Sequence, residues 1–305
     1  MFLSAQFSVE PTSRIERTLV YRAGRLCARW RTLMKRMSLE RWLCMGLILG
    51  GLVCSLAAMP ARADEWSKTY TLTGRPDLRV DTSDADIHVS TWEQKTIEAK
   101  VTTAGYKIGE TGIRVEEHQT GDAVEIDVRY PHHGVTIGWA NHSVQINIQM
   151  PREGRVDLRT GDGKIELGNF KGEMLLHTGD GSEEIEGVDG KLRALTGDGH
   201  INANGRFDEL DLKTGDGRVD ARATAGSALA MGWRIESGDG TVTLEVPANL
   251  AADVDLHTGD GHIDLDMPVT TEGKIREGEV RGKLNGGGNL LVIHTGDGSI
   301  RLRKG

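Results

Sequence analysis

The sequence predicts an all-β protein, a single β-solenoid (β-helix) of about 18-residue coils turned at Thr-Gly-Asp-Gly corners. Three observations predict it. The tetrad Thr/Ser-Gly-Asp-Gly occurs seven times, starting at Thr160, Thr178, Thr196, Thr214, Ser237, Thr258 and Thr295, with the first four copies 18 residues apart. A fixed period around a turn-forming core marks stacked units instead of one irregular globule. Apolar and polar residues alternate at period two on both sides of each tetrad, which is the pattern of half-buried strands. Each unit also contains a second glycine- or asparagine-bearing bend, at Gly168-Asn169, Gly187 and Asn204-Gly205.

The first element, residues 1–63, reads as a signal peptide with an extended N-region. Lys35, Arg36 and Arg41 precede an uncharged run from Trp42 to Pro60, and Ala61-Arg62-Ala63 supplies an A-x-A site, so cleavage is expected before Asp64. The competing reading, a transmembrane anchor, is weakened by the marginal length of the run and its break at Pro60. Cys27, Cys44 and Cys54 all lie in this segment, and Cys54 is not preceded by a lipoprotein-type box. The exported chain is then left without a disulfide, a thiolate metal site or a cysteine nucleophile.

Residues 64–150 are expected to form degenerate N-terminal coils. Asp81-Thr82-Ser83-Asp84-Ala85-Asp86-Ile87-His88-Val89 and Thr120-Gly121-Asp122-Ala123-Val124-Glu125-Ile126 resemble worn copies of the repeat. Terminal units of such a stack are expected to be atypical, because an open strand edge invites pairing with another chain.

Residues 151–305 carry the regular repeat. Two positions before each tetrad stand Leu158, Leu176, Ala194, Leu212, Ile235, Leu256 and Ile293. The fifth position counted forward holds Ile165, Glu183, Ile201, Val219, Val242, Ile263 and Ile300, and the seventh Leu167, Ile185, Ala203, Ala221, Leu244, Leu265 and Leu302. These are the expected inward ladders, able to fill a thin core in a chain with only 5% aromatic residues. The tetrad itself is expected to be a turn in which Gly161 and Gly163, Gly179 and Gly181, Gly197 and Gly199, Gly215 and Gly217, Gly238 and Gly240, Gly259 and Gly261, and Gly296 and Gly298 supply positive φ. The aspartate between them would bond to nearby backbone N–H groups. A hairpin meander would run successive strands antiparallel; a solenoid would stack them at about 4.8 Å, in either hand. The spacing lengthens to 23, 21 and 37 residues toward the C-terminus, and the last gap, with Gly286-Gly287-Gly288, has room for a coil without its tetrad.

From Asp64 onward the chain has 27 basic and 42 acidic residues, a formal charge of −15. That balance disfavours nucleic acid and anionic lipid as partners. No membrane span is expected after cleavage.

The exported signal, the "NIQMP" step at Asn147–Pro151 leading into "VDLRTGDGKIEL", the recurring T-G-D-G-x-I and the closing "GGGNLLVIHTGDGSIRLRK" resemble the bacterial putative-adhesin domain family over Leu78 to Lys304. The resemblance implies an exported β-strand-repeat domain of unknown function with an adhesin label, and it brings no catalytic residues.

Three functions compete. The first is a non-enzymatic surface or periplasmic interaction protein that binds a protein or polysaccharide ligand along its flat faces and needs no cofactor. Arg159, His177, Lys213, Glu236, His257 and His294 would lie on one such face, where the plain alternative is a solvated strand surface. The second is a calcium-binding β-roll-like module, with Asp162, Asp180, Asp198, Asp216, Asp239, Asp260 and Asp297 in a column about 5 Å apart, each pair repelling by roughly 1 kcal/mol in water. The nine-residue β-roll pattern is missing, and a shell of roughly six oxygens is not apparent. The third is a carbohydrate-active enzyme using His177, His257 or His294 beside Asp180, Asp260 or Asp297. Residues repeated in every unit answer to the slot, whereas an active site needs one asymmetric constellation. Trp139, Trp233 and His132-His133 are the unique features where a site could sit.

Overall fold

The computed structural model describes residues 64–131, 142–271 and 278–305. The expected signal peptide, Trp139 and His132-His133 lie outside them. The described chain is all β, one hydrogen-bonded sheet of many strands. Its N-terminal part contains β1 (Asp64–Thr71), β2 (Asp77–Thr82), β3 (Asp86–Trp92), β4 (Thr96–Ala104), β5 (Arg114–Thr120), β6 (Ala123–Arg129) and β7 (Ser143–Pro151). The repeat region contains β8 (Glu153–Thr160), β9 (Ile165–Gly168), β10 (Lys171–Thr178), β11 (Glu183–Thr196), β12 (Ile201–Lys213), β13 (Val219–Ala223), β14 (Trp233–Ser237), β15 (Val242–Val246), β16 (Ala252–Thr258) and β17 (Ile263–Leu265). β18 (Val269–Thr271), β19 (Glu279–Leu284), β20 (Leu290–Thr295) and β21 (Ile300–Lys304) complete it.

Each tetrad joins two strands, and neighbouring units pair in parallel with like on like. Thr160 faces Thr178, which faces Thr196. Ile165 faces Glu183, which faces Ile201, which faces Val219. The strands thus fall into two rows. One runs β5-β6-β2-β8-β10-β11-β12-β14-β20-β16-β19-β18. The other runs β1-β4-β7-β3-β9-β11-β12-β13-β15-β21-β17. β11 and β12 belong to both, turning at Gly187 and Asn204-Gly205. A single buried cluster includes the inward residues of both rows, so the period-two alternation places its apolar side where expected.

Spatial order departs from sequence order at both ends. β2 and β3 lie inside β6 and β7, and the last strands, β20 and β21, lie between β14-β15 and β16-β17. Burial explains the C-terminal order. Leu291, Ile293, Ile300 and Leu302 of β20 and β21 are fully buried, whereas Ile263 and Leu265 of three-residue β17 are only half-buried. The more apolar pair takes the interior place, and the weaker one forms a short edge that offers little to a foreign strand. The 37-residue gap holds no further tetrad-less unit among its described residues. It holds β18 and β19, which close the end by pairing antiparallel, β19 against β16. Of the two worn copies, Thr82-Ser83-Asp84-Ala85 takes the tetrad place beside Thr160. Thr120-Gly121-Asp122 is instead a hairpin turn between antiparallel β5 and β6, with Gly121 at φ 62°.

The tetrads hold by a different chemistry from the expected turn. No tetrad glycine has a positive φ. Positive φ occurs at the second bend, in Asn169 and Gly187. The tetrad positions are glycine because the units approach too closely for a side chain. A methyl at Gly163, Gly181, Gly199, Gly217, Gly240, Gly261 or Gly298 would come within 3.0 Å of a neighbouring unit's carbonyl oxygen, and so would one at Gly161, Gly179, Gly197, Gly215, Gly238, Gly259 or Gly296. The expected aspartate-to-backbone bond is also replaced: the buried threonine hydroxyl takes that role. Thr196 Oγ1 donates to the Gly181 carbonyl at 2.9 Å and accepts the Gly199 N–H at 3.2 Å. Thr178, Thr214, Ser237 and Thr258 repeat both bonds. One hydroxyl thereby satisfies a donor within its own unit and an acceptor in the next, both shielded from water.

One inward slot breaks the apolar rule. Glu183 stands between Ile165 and Ile201 with 1% exposure, and neither carboxylate oxygen has a hydrogen-bond partner among the described residues. Burial pushes its carboxyl well above the usual range, a smaller opposing pull coming from the Leu195 backbone.

In urea unfolding, Gly199→Ala should cost about 1–3 kcal/mol through overpacking, and Thr196→Val about 1–3 kcal/mol through two orphaned backbone groups. Asp198→Asn should stay within about 0.5 kcal/mol, and an equal loss in all three would refute the division of roles. Glu183→Gln should match the parent below the unfolded carboxyl value of 4.5. Above it the unfolded parent releases a proton that the folded parent retains, so the parent falls behind the variant by up to about 1.4 kcal/mol per pH unit until its folded value is passed. A pH-independent difference would show that the carboxyl is not held neutral.

Candidate functional site

Strand geometry places every outward side chain in a row across neighbouring strands at about 4.8 Å. The seven tetrad aspartates, Asp162, Asp180, Asp198, Asp216, Asp239, Asp260 and Asp297, do stack along one side, and all are exposed. Backbone bonds from Gly179 to Gly161 at 2.5 Å and from Gly259 to Gly296 at 2.6 Å, with equivalent bonds at Gly197, Gly215, Gly238 and Gly296, carry the column. Their carboxylates make no hydrogen bond among the described residues. Asp84 extends the column in the worn unit, its carboxyl raised by burial and then by Asp162. Among the described residues no three His, Cys, Asp or Glu side chains converge as metal ligands would. Exposure leaves the column's charge to water and counter-ions.

The first row's outward side is largely self-neutralised. Arg193 meets Asp211 at 3.1 Å, Lys191 meets Glu209 at 3.3 Å, Lys213 meets Glu236 at 3.2 Å and Arg281 meets Asp255 at 3.2 Å. These exposed pairs contribute little stability each, but they consume the charge of the face. At its N-terminal end a shallow hollow of about 310 Å³ lies among Asp77, Arg79, His118, Glu125 and Arg155.

The second row differs. A shallow polar groove of about 260 Å³ crosses β11, β12, β13 and β15, lined by Glu186, Asn202, Asn204, Asp220, Arg222, Thr243 and Glu245. One wall pairs internally, with Asn204 Nδ2 donating to Glu186 at 3.1 Å and Arg222 Nε to Glu245 at 2.6 Å. The row beside it, Asn202, Asp220 and Thr243, is in register strand to strand. Its amide, carboxylate and hydroxyl make no hydrogen bond among the described residues. The repeat-based reading passed over this strip because its residues differ from unit to unit. Asn202, Asp220 and Thr243 all stand six residues on from the Thr or Ser that opens their tetrads, which is the signal that could have found it.

The remaining candidates separate. His177, the same slot as His257 and His294, has Arg159 and Leu195 as row neighbours. His257 and His294 are neighbours on β16 and β20. None of the three forms a hydrogen bond with its tetrad's Asp180, Asp260 or Asp297, so these histidines and tetrad aspartates are not paired as an acid–base couple. Trp233 is 2% exposed and packs edge-on against Phe207 at 6.3 Å, so it belongs to the core and not to a site. No helix among the described residues is long and apolar enough to cross a membrane.

Among solved structures, the chain is similar to a putative cell adhesion protein from Clostridium sporogenes, at 16% identity and a TM-score of 0.40 over 80% of this chain and 100% of that one. It is also similar to a putative lipid binding protein from Parabacteroides distasonis, at 14% identity and 0.39 over 78% and 96%. A putative adhesin from Parabacteroides merdae matches at 11% identity and 0.39, over the same shares of the two chains. No protein of curated function matches the chain. Residues 76–303 match the family described as Toastrack DUF4097, which is most of the sequence. The chain belongs to the Toastrack DUF4097 family.

Proposed function

We propose that the protein is an exported, non-enzymatic interaction protein with an adhesin-like or scaffolding role, built as a β-solenoid of about 18-residue coils with Thr-Gly-Asp-Gly corners. The like-on-like parallel register of Thr160, Thr178 and Thr196 supports the architecture, and the basic stretch, uncharged run and A-x-A order before Asp64 support export.

The observation that carries the binding role is the strip of Asn202, Asp220 and Thr243. Three polar groups of different chemistry stand at strand spacing on rigid elements, beside a wall that satisfies itself. Such a strip can hydrogen-bond successive hydroxyls of an extended polysaccharide, because the strands already fix the backbone positions from which the three side chains project. Absence of catalysis is proposed because the repeat residues answer to packing: the threonines hold the stack, the glycines permit close approach, and the aspartates are solvated.

The test is binding of the purified protein to immobilised cell-surface polysaccharides by biolayer interferometry. Asn202→Ala with Asp220→Ala should weaken binding at least about tenfold, near 1.4 kcal/mol, while Asp198→Asn leaves it unchanged. Equal binding by parent and double variant would remove the strip as the site. Release of new reducing ends from the polymer would overturn the non-enzymatic reading.

A further inference from the structure

The insertion of β20 beside β16 brings together two histidines that lie far apart in sequence. His257 and His294 face each other in register on adjacent parallel strands, both outward, with ring centroids 5.9 Å apart and planes at 84°. Neither imidazole makes a hydrogen bond or ion pair among the described residues. The same row continues to a carboxylate on either side: Glu236 on β14 is in register with His294, and Glu279 on β19 with His257. Glu236 is held by Lys213 at 3.2 Å and Arg234 at 3.1 Å, and Glu279 by Arg281 at 3.2 Å, which also contacts Asp255.

We infer that His257 and His294 form a two-histidine binding site for a late first-row divalent transition-metal ion, of the zinc, copper and nickel class. Imidazole nitrogens suit these ions and bind at about 2.0–2.1 Å. Both ring nitrogens then lie roughly 3 Å apart, a closure that side-chain rotation supplies because His257 is exposed and His294 only half-buried. As the side chains stand, no third ligand converges. The protein therefore supplies two nitrogens and water fills the remaining positions, with Glu279 one strand step from His257. Calcium is not a fit, because a hard cation prefers oxygen ligands. An ion held here would tie the last strand pair to the unit it displaces outward, so occupancy should stabilise the folded chain. This site shares no residue with the polar strip, and the two inferences stand or fall separately.

The experiment is calorimetric titration of the purified protein with nickel(II), with thermal unfolding in parallel and copper(II) electron paramagnetic resonance as the spectroscopic reading. One ion per chain, a raised unfolding midpoint and coupling to two nitrogens are expected. His257→Asn and His294→Asn should each remove all three effects while keeping the parent's circular dichroism. His177→Asn should keep them all, because that slot has no histidine beside it. Binding that survives when His257→Asn and His294→Asn are combined, binding lost equally in His177→Asn, or a midpoint raised by calcium and not by nickel would each overturn the assignment.

Discussion

The stack depends on one buried hydroxyl per unit. Wherever two units meet at a tetrad, backbone N–H and C=O groups are pressed together out of reach of water, and an orphaned pair there would cost about as much as several exposed ion pairs return. The threonine or serine Oγ accepts from its own unit and donates to the next, so it closes the local turn and the contact between units with one atom. That double duty needs near contact, and near contact excludes a Cβ, which accounts for glycine on both sides of the aspartate.

Once the tetrads are fixed, the rest of each unit has little freedom. The strands that leave the turn are parallel to those of the next unit, their inward residues are in register, and the core is filled by Leu, Ile, Val and Ala together with Phe170, Phe207 and Trp233. Glu183 shows the tolerance of this arrangement, since a buried carboxyl occupies one inward slot in register with Ile165 and Ile201. The ends obey a second constraint, the open strand edge. β1 and β5 at one end carry many charged side chains, and β17 and β18 at the other are only three residues long. Each device makes addition of a foreign strand unfavourable.

Function is left to the positions that the stack does not use. Repetition makes the tetrad the most visible feature of the chain, and its threonines and glycines are explained by packing. The asymmetric rows carry more: the polar strip over β12, β13 and β15, and the histidine pair where β20 meets β16. Both arise from residues that differ between units while occupying equivalent slots. Flat, pre-ordered faces of this kind suit extended partners better than small substrates.

Strand content and the inward ladders are legible in the sequence, because period-two alternation and an 18-residue spacing put Leu158, Leu176 and Leu212 on one side of equivalent strands. Parallel stacking in place of a hairpin meander is seen only in the strand pairing. The sequence misled on the tetrad glycines, whose role is steric closeness and not backbone handedness. A sequence shows that a residue lacks a side chain but not what stands next to it. Positive φ falls instead at Asn169 and Gly187 of the second bend, which recurs from unit to unit but without a fixed residue pattern. The order of the terminal units is not legible along the chain, because it depends on which strand pair buries more apolar surface on both of its sides, a comparison between distant segments. The meeting of His257 with His294 is decided by the same comparison, and no spacing along the chain encodes it.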